Sequence, residues 1–371
     1  MTKAGTIAAR KQRRGSMLWL IGASLGIVLI AAIVQTAEGS YSMTLREAWG
    51  ALSDASVWRR PTVLLRFLLG EAFARAHGFS EMKPLATTTL IVWNVRLPRV
   101  LTGLMVGVNL AFSGTIFQAV TRNELASPYL LGVSSGAGLA ILAVLVLFPA
   151  WGPLIPLAAM AGGSLAFLIV YAIAWNRGTS PVRLVLGGVI VGAIAGSLQT
   201  GIFFLARDIN VMQNALAWTV GSLTGADWRQ VRMIAPWTII TVVLGLSASR
   251  NLDVLLLGEA NARALGMAVE RNRFLLAAVA IMAAGSSVAV AGLVGFVGLI
   301  VPHVVRSLVG SAHRRLLVGC LFAGPALMAS ADALARLIAN PVQIPVGIVT
   351  GLLGGVFFLY LMRRRREIGK P

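Results

Sequence analysis

Gly132-Val133-Ser134-Ser135-Gly136 spells G-x-S-x-G, the pattern that presents a serine nucleophile on a sharp strand-to-helix turn. Acyl transfer there would need a general base. The chain has three histidines, His77, His303 and His313, none with an obvious orienting carboxylate. Small residues at the start of an apolar helix account for the five letters better. The glycines at 292–298 are not preceded by a strand, so they are not a dinucleotide loop. No P-loop occurs, since Gly369-Lys370 is followed by Pro371. No catalytic residue, metal site or nucleotide site is expected on this chain.

Carboxylates are almost absent from the apolar stretches, with Asp332 the clear exception. Ion-coupled carriers usually place such groups within the membrane as relays or ligands. Arg336 follows Asp332 by one helical turn, which makes an ordinary ion pair the simple reading. These residues describe a transporter whose energy comes from elsewhere.

The elements that hold these groups follow from composition. The chain has 371 residues, 57% hydrophobic and only 12% charged, with 40 glycines and a mean hydropathy of +0.82. Soluble domains carry about 25% charge. This is therefore an all-α, polytopic membrane protein. Its net charge of +19 sits between apolar runs and at both ends, as cytoplasmic loops require, and not along one nucleic-acid-binding face. The lone Cys320 permits no intramolecular disulfide.

About 20 apolar residues cross a bilayer as a helix. Ten spans are predicted: 18–37, 97–119, 130–148, 153–175, 184–205, 234–248, 274–291, 292–308, 316–338 and 344–362. The run from 274 to 305 is too long for one crossing and is divided at Gly292, Gly295 and Gly298. An even number of spans puts both basic ends on one side, taken as cytoplasmic. Twenty of the 32 Lys and Arg then lie inside and twelve outside. The first apolar run exceeds the 7–15 residues of a signal-peptide core and is read as a retained span. The expected organisation is a basic arm (1–17), one membrane domain (18–362) and a basic tail (363–371). Two soluble pieces, an external segment 38–94 and a cytoplasmic loop 249–273, look too small to hold a core. Within the first, 62–76 reads as amphipathic, with Leu64, Leu65, Leu68, Leu69 and Phe73 apolar.

Small residues recur every four positions at Gly103/Gly107, Gly188/Gly192/Gly196 and Gly347/Gly351/Gly355. In lipid this pattern lets helix backbones approach closely. Packing along a translocation path is expected of Gly103, Gly107, Gly188, Gly192, Gly292, Gly295 and Gly298.

Six blocks appear in order from about residue 95 to 362. Arg96-Leu97-Pro98-Arg99 leads into Gly107-Val-Asn-Leu-Ala-Phe-Ser-Gly-Thr-Ile-Phe-Gln118 and Thr121-Arg-Asn-Glu-Leu-Ala-Ser-Pro-Tyr-Leu-Leu-Gly-Val-Ser-Ser-Gly-Ala137. Then come Trp218-Thr-Val-Gly-Ser-Leu223, Leu257-Gly-Glu-Ala-Asn-Ala-Arg-Ala-Leu-Gly266, Gly292-Leu-Val-Gly-Phe-Val-Gly-Leu-Ile-Val-Pro-His-Val-Val-Arg306 and Pro345-Val-Gly-Ile-Val-Thr-Gly351. The chain resembles the permease subunits of ABC importers for iron chelates (siderophores, haem) and cobalamin. It departs from them in carrying Gln343 where Glu is usual, Val356 where Pro is usual, and a longer external connection over 54–88.

The resemblance implies a ten-helix subunit of a bacterial inner membrane that forms a homodimer around its path. Two cytoplasmic ATPase subunits, carrying ATP and Mg, and one periplasmic or extracellular binding protein would complete the importer. It implies coupling to the ATPase through Gly258, Glu259, Ala260, Ala262, Arg263, Leu265 and Gly266, and docking of the binding protein on Arg96, Arg99 and Arg336. Arg suits that task because its planar fork binds carboxylates bidentately. The expected cargo is a ferric siderophore first, haem second and cobalamin as the alternative. An ion-gradient-driven secondary carrier is the reading from a different class, and an intramembrane protease a distant third.

Overall fold

The structure is a computed structural model that describes residues 3–37, 41, 43–79, 85–176, 178–206, 208–338 and 342–368, without the side chains of 3–14, 210 and 364–368. Arg177, Arg207 and the ends of both basic arms lie outside the described residues.

Each predicted span has its helix: α1 (Lys3–Ala37), α2 (Thr87–Thr121), α3 (Val133–Leu147), α4 (Ile155–Ala174), α5 (Pro181–Leu205), α6 (Trp228–Ser247), α7 (Val269–Ala291), α8 (Val297–Val309), α9 (His313–Leu337) and α10 (Val346–Ile368). Eight of the described helices are long and apolar enough to cross a membrane, while α3 and α8 are shorter. α2 begins ten residues before the predicted span. Pro98 explains part of that entrance: its ring cannot sit over the carbonyl of Asn94, and the helix widens into one π-helical turn at Val92–Arg96.

α2 is the axis of the bundle, with α6, α7, α8 and α9 packed around it. Of its most apolar stretch 83% is buried, against 17% for α1. Lipid is as apolar as leucine, so apolarity alone does not sort helices inward. The inner helices instead carry small and polar groups that satisfy one another. Asn109 donates to Thr238 and Ser286 hydroxyls, and Ser113 to the carbonyl of Ala280.

The division at Gly292 is as predicted. α7 ends at Ala291 and α8 starts at Val297, with Gly292 at φ +68 and Phe296 at φ +66. Broken backbone at membrane depth must find partners within the protein, and they come from a segment outside the ten predicted spans. Ile209–Val220 is helical, and the residues around its end bind the break: the Leu293 amide donates to Trp218 O (2.9 Å), and the Ser222 amide to Ala291 O (2.8 Å). The helix is short and rich in amides, so hydropathy alone did not reveal it.

The external segment also departs from expectation. It forms helices Leu45–Leu52, Ala55–Trp58, Pro61–Leu69 and Glu71–Ala76 and has a small core of Met43, Val57, Val63 and Phe67 with Trp93, Trp228 and Val231. The core is possible because α2 and α6 supply its other half. The expected single amphipathic stretch breaks at Gly70 (φ +94), and it buries Val63, Phe67 and Ala74 while Leu68 and Leu69 stay exposed. The loop 249–273 is likewise no free linker: Leu252, Leu255 and Ala262 join the main core.

Candidate functional site

Chemistry-bearing residues collect at the two ends of the bundle. At the end opposite the chain termini, Asp332 of α9 receives Arg99 of α2 through Nη2 (2.7 Å) and Nε (3.2 Å). Arg336 reaches the other carboxylate oxygen at 3.3 Å and donates to Gln35 O on α1. Arg99 also donates to Gln343, and Arg96 to the carbonyls of Thr36 and Tyr41. A cavity of about 240 Å³ adjoins the cluster, lined by Tyr41, Arg96, Arg99, Thr224, Arg336 and Gln343 among others.

The three arginines expected to dock a binding protein lie together at this end, in a buried setting. They are 3%, 5% and 8% exposed, not an open rim. Two of them converge on one buried carboxylate, and the third donates to the carbonyls of Thr36 and Tyr41. Asp332 was seen to face Arg336, but its bidentate partner lies 233 residues away, and no local pattern signals that.

At the other end, the short helix predicted between Gly258 and Gly266 is present as Glu259–Ala264. Both glycines have left-handed φ, +103 and +80, which L side chains rarely adopt. Glu259 anchors the helix by accepting from Arg273 (2.7 Å) and pairing with Arg263 (3.3 Å). Arg273, fully buried on α7, also binds Glu270 and the carbonyl and hydroxyl of Thr179. Arg122 caps Leu255 O from α2's end, and Arg306 pairs with Glu124. Arg273, Thr179, Glu270 and Arg122 were missed by the sequence reading, because each works through a distant segment.

Ala262 points into the core, whereas Ala260, Arg263, Ala264 and Leu265 face outward, beside exposed Leu256 and Leu257. Of the two alanines expected to couple, Ala260 is therefore open to a partner and Ala262 is not, while Ala264 joins Ala260 on the outward face. Residues two apart on a helix do not share a face.

Burial alone would raise the Glu259 pKa, but the hydrogen bond and charge of Arg273 outweigh it and hold the carboxyl below its ordinary 4.5. A depressed carboxylate stabilises above its unfolded pKa and loses that contribution as pH falls through the folded value. The protection factor of the amides at 259–264, taken against the intrinsic exchange rate at each pH, is thus expected to hold at neutral pH and to fall once the pH drops below the ordinary carboxyl value of 4.5.

Among the glycines, Gly107 lies against Gly324 backbone, Gly298 against Leu110 O, Gly188 against Leu130 O and Gly292 against Trp218 O; Gly103 abuts the Leu223 side chain. Gly192 makes an ordinary contact with Ser135, and a Cβ on Gly295, Gly196, Gly351 or Gly355 would meet nothing. Gly114, Gly136, Gly162 and Gly354 are close contacts that the four-residue spacing did not single out.

This bundle, with two interrupted elements meeting at its middle and an anchored short helix at one end, has known counterparts. The FecCD transport family profile matches residues 27–364. The chain belongs to the FecCD transport family. Within reach of this FecCD chain are the Fe(3+)-citrate import system permease of Bacillus subtilis, 42% identical over 75% of this chain and 83% of the relative. The hemin transport system permease of Yersinia pestis is 37% identical over 83% and 97%, and the vitamin B12 import permease of Shigella boydii 35% over 97% and 99%. A solved metal-chelate type ABC transporter in an inward-facing conformation superposes with a TM-score of 0.75, at 25% identity, over 93% of this chain and 98% of that one.

Proposed function

We propose that this FecCD protein is the membrane-spanning subunit of a binding-protein-dependent ABC importer, carrying an iron chelate into the cytoplasm with ATP hydrolysed by a partner. The observation that carries it is the family match over nearly the whole described bundle, joined to the anchored helix Glu259–Ala264. That helix offers a partner a small exposed face, Ala260 and Ala264, on a rigid base made by buried Arg273. Ferric siderophores and ferric citrate rank first, haem second and cobalamin third. Identity falls in that direction, from 42% to 35%. An external binding protein would meet the end that holds Arg96, Arg99 and Arg336, reaching the cluster through its cavity. A second copy of the chain would cover the open glycines Gly351 and Gly355 of α10, which have no close neighbour within this one. Asp332 argues against a secondary carrier, because both its oxygens are engaged by buried arginines and none is left as an ion relay.

The test is uptake in vesicles holding the chain, its ATPase and its binding protein, with iron-labelled chelates. Uptake is expected to require ATP and to survive ionophores that collapse ion gradients; uptake driven by a gradient without ATP overturns the proposal. Ala260→Trp or Ala264→Trp should lower uptake at least tenfold while the subunit remains folded. Ala262→Trp should instead fail at assembly, since that methyl is fully buried.

A further inference from the structure

The helix Leu45–Leu52 has three sides, and the membrane-crossing role of the bundle uses only one. At 100° per residue, Ala48 and Ala51 form the side that packs inward, and both are buried. Glu47, Arg46 and Gly50 form a polar side, with Glu47 closing a capping box on Thr44. Between them runs an apolar side of Leu45 and Trp49, with Leu52 at its edge packed against the small core. Leu45 is 61% and Trp49 65% exposed. Trp58, 56% exposed, anchors its indole N–H on Leu52 O at 2.7 Å.

A helix in water would be expected to divide into two sides, one apolar and buried and one polar. The third side marks a second apolar medium, and its place identifies that medium. Met43 donates to Ala37 O at the end of α1, and the helix packs against both α1 and the entrance of α2. It therefore sits at the depth where a span leaves the bilayer, next to α1, whose Leu25, Leu29, Ile30 and Ile33 are themselves exposed. Tryptophan favours this boundary, and arginine beside it can meet phosphate; Arg46, Arg59 and Arg60 are all exposed there.

We propose that Leu45, Trp49 and Trp58 insert into the lipid interface at the end opposite the chain termini, so that the external segment is a membrane-surface anchor that fixes the entrance of α2. Trp93 carries that link: its indole donates to Ala51 O at 3.1 Å, and it belongs to the π-helical turn that leads to Arg96 and Arg99. A lipid surface is chosen over a protein partner because the helix packs beside α1, whose own apolar side chains are exposed, and carries exposed arginines next to its tryptophans.

The test uses the full chain in liposomes, labelled on one cysteine at a time with a small environment-sensitive dye. Native Cys320 is fully buried and stays unlabelled. Trp49→Cys carries the probe on the apolar side, and Gly50→Cys, whose position has no neighbour within 4 Å, carries it on the polar side. Lipids brominated near the headgroup should quench the first label at least twofold more than the second, and aqueous iodide should show the reverse order. Equal quenching of both labels by lipid overturns the proposal. So does a Trp49→Cys label that is open to iodide until a soluble partner protein is added, which would make the apolar side a protein interface. Leu45→Glu with Trp49→Glu should still fold, because neither side chain is buried, and should roughly halve the lipid quenching of a label at Trp58→Cys.

Discussion

Asp332→Ala is expected to leave most of the protein unable to survive extraction from the membrane. The carboxylate is 2% exposed as a side chain, and Arg99 and Arg336 are each 6%. Removing it leaves two buried guanidinium groups facing each other without a counter-charge. Breaking a buried ion pair from one side costs roughly 3–5 kcal/mol, a large share of a marginal stability. Asp332→Asn should fall between, since one amide oxygen still accepts. The cost lies in the orphaned charges and not in lost attraction, so Arg99→Met with Asp332→Leu and Arg336→Met should recover most of the loss. Detergent-solubilised thermal unfolding, followed by the fraction remaining monodisperse, measures the series. If Asp332→Ala unfolds within about 1 °C of the parent chain, the carboxylate is not the keystone of that end. If the triple replacement is as damaged as the single one, packing of the arginine stems is what matters.

This series also shows where reading the chain stops. A helix for each of the ten predicted spans, eight of them long enough to cross a membrane, the division at Gly292 and the short helix between Gly258 and Gly266 were all legible, because each is written in a contiguous run. Span length is set by bilayer thickness, and a helix bracketed by two glycines needs no distant information. The pairing of Asp332 with Arg336 was legible for the same reason. What failed was everything decided by the other side of a contact. Arg99 looked like a surface arginine because nothing near it in sequence is acidic. The external segment looked coreless because Trp93 and Trp228 lie beyond its ends. Ile209–Val220 fell outside the predicted spans because its amides are satisfied only where it meets the broken backbone of Gly292–Phe296. Ala262 was expected to couple from the resemblance, and only the helix phase, which seats it in one core with Leu252 and Val269, turns it inward. The glycine stripes divide likewise. Spacing names helices that can approach, while the register between helices decides which glycine touches.

Gly114→Ala carries that point to the axis of the bundle. Gly114 lies on α2 at the centre of the bundle, and a Cβ there would stand 1.8 Å from the carbonyl oxygen of Gly298 on α8. No flexible side chain can yield, because the obstacle is backbone, so α2 and α8 must move apart by an ångström or more. The movement would strain two polar contacts on the same stretch of α2: Ser113 to Ala280 O at 2.7 Å, and Arg306 to Gln118 at 2.8 Å. Overpacking a rigid core typically costs about 1–3 kcal/mol and occasionally more, and the uncompensated hydrogen bonds here put this substitution at the upper end. Gly298→Ala, 2.7 Å from Leu110 O, should be damaging but milder. Gly295→Ala is the control within the same connection, since its Cβ would enter open space and alanine is the better residue for an ordered chain. The expected order of thermal stability is therefore Gly295→Ala equal to the parent chain, then Gly298→Ala, then Gly114→Ala. A Gly114→Ala chain that unfolds with the parent would show that α2 and α8 do not meet backbone to backbone, and the central packing described for them would have to be abandoned.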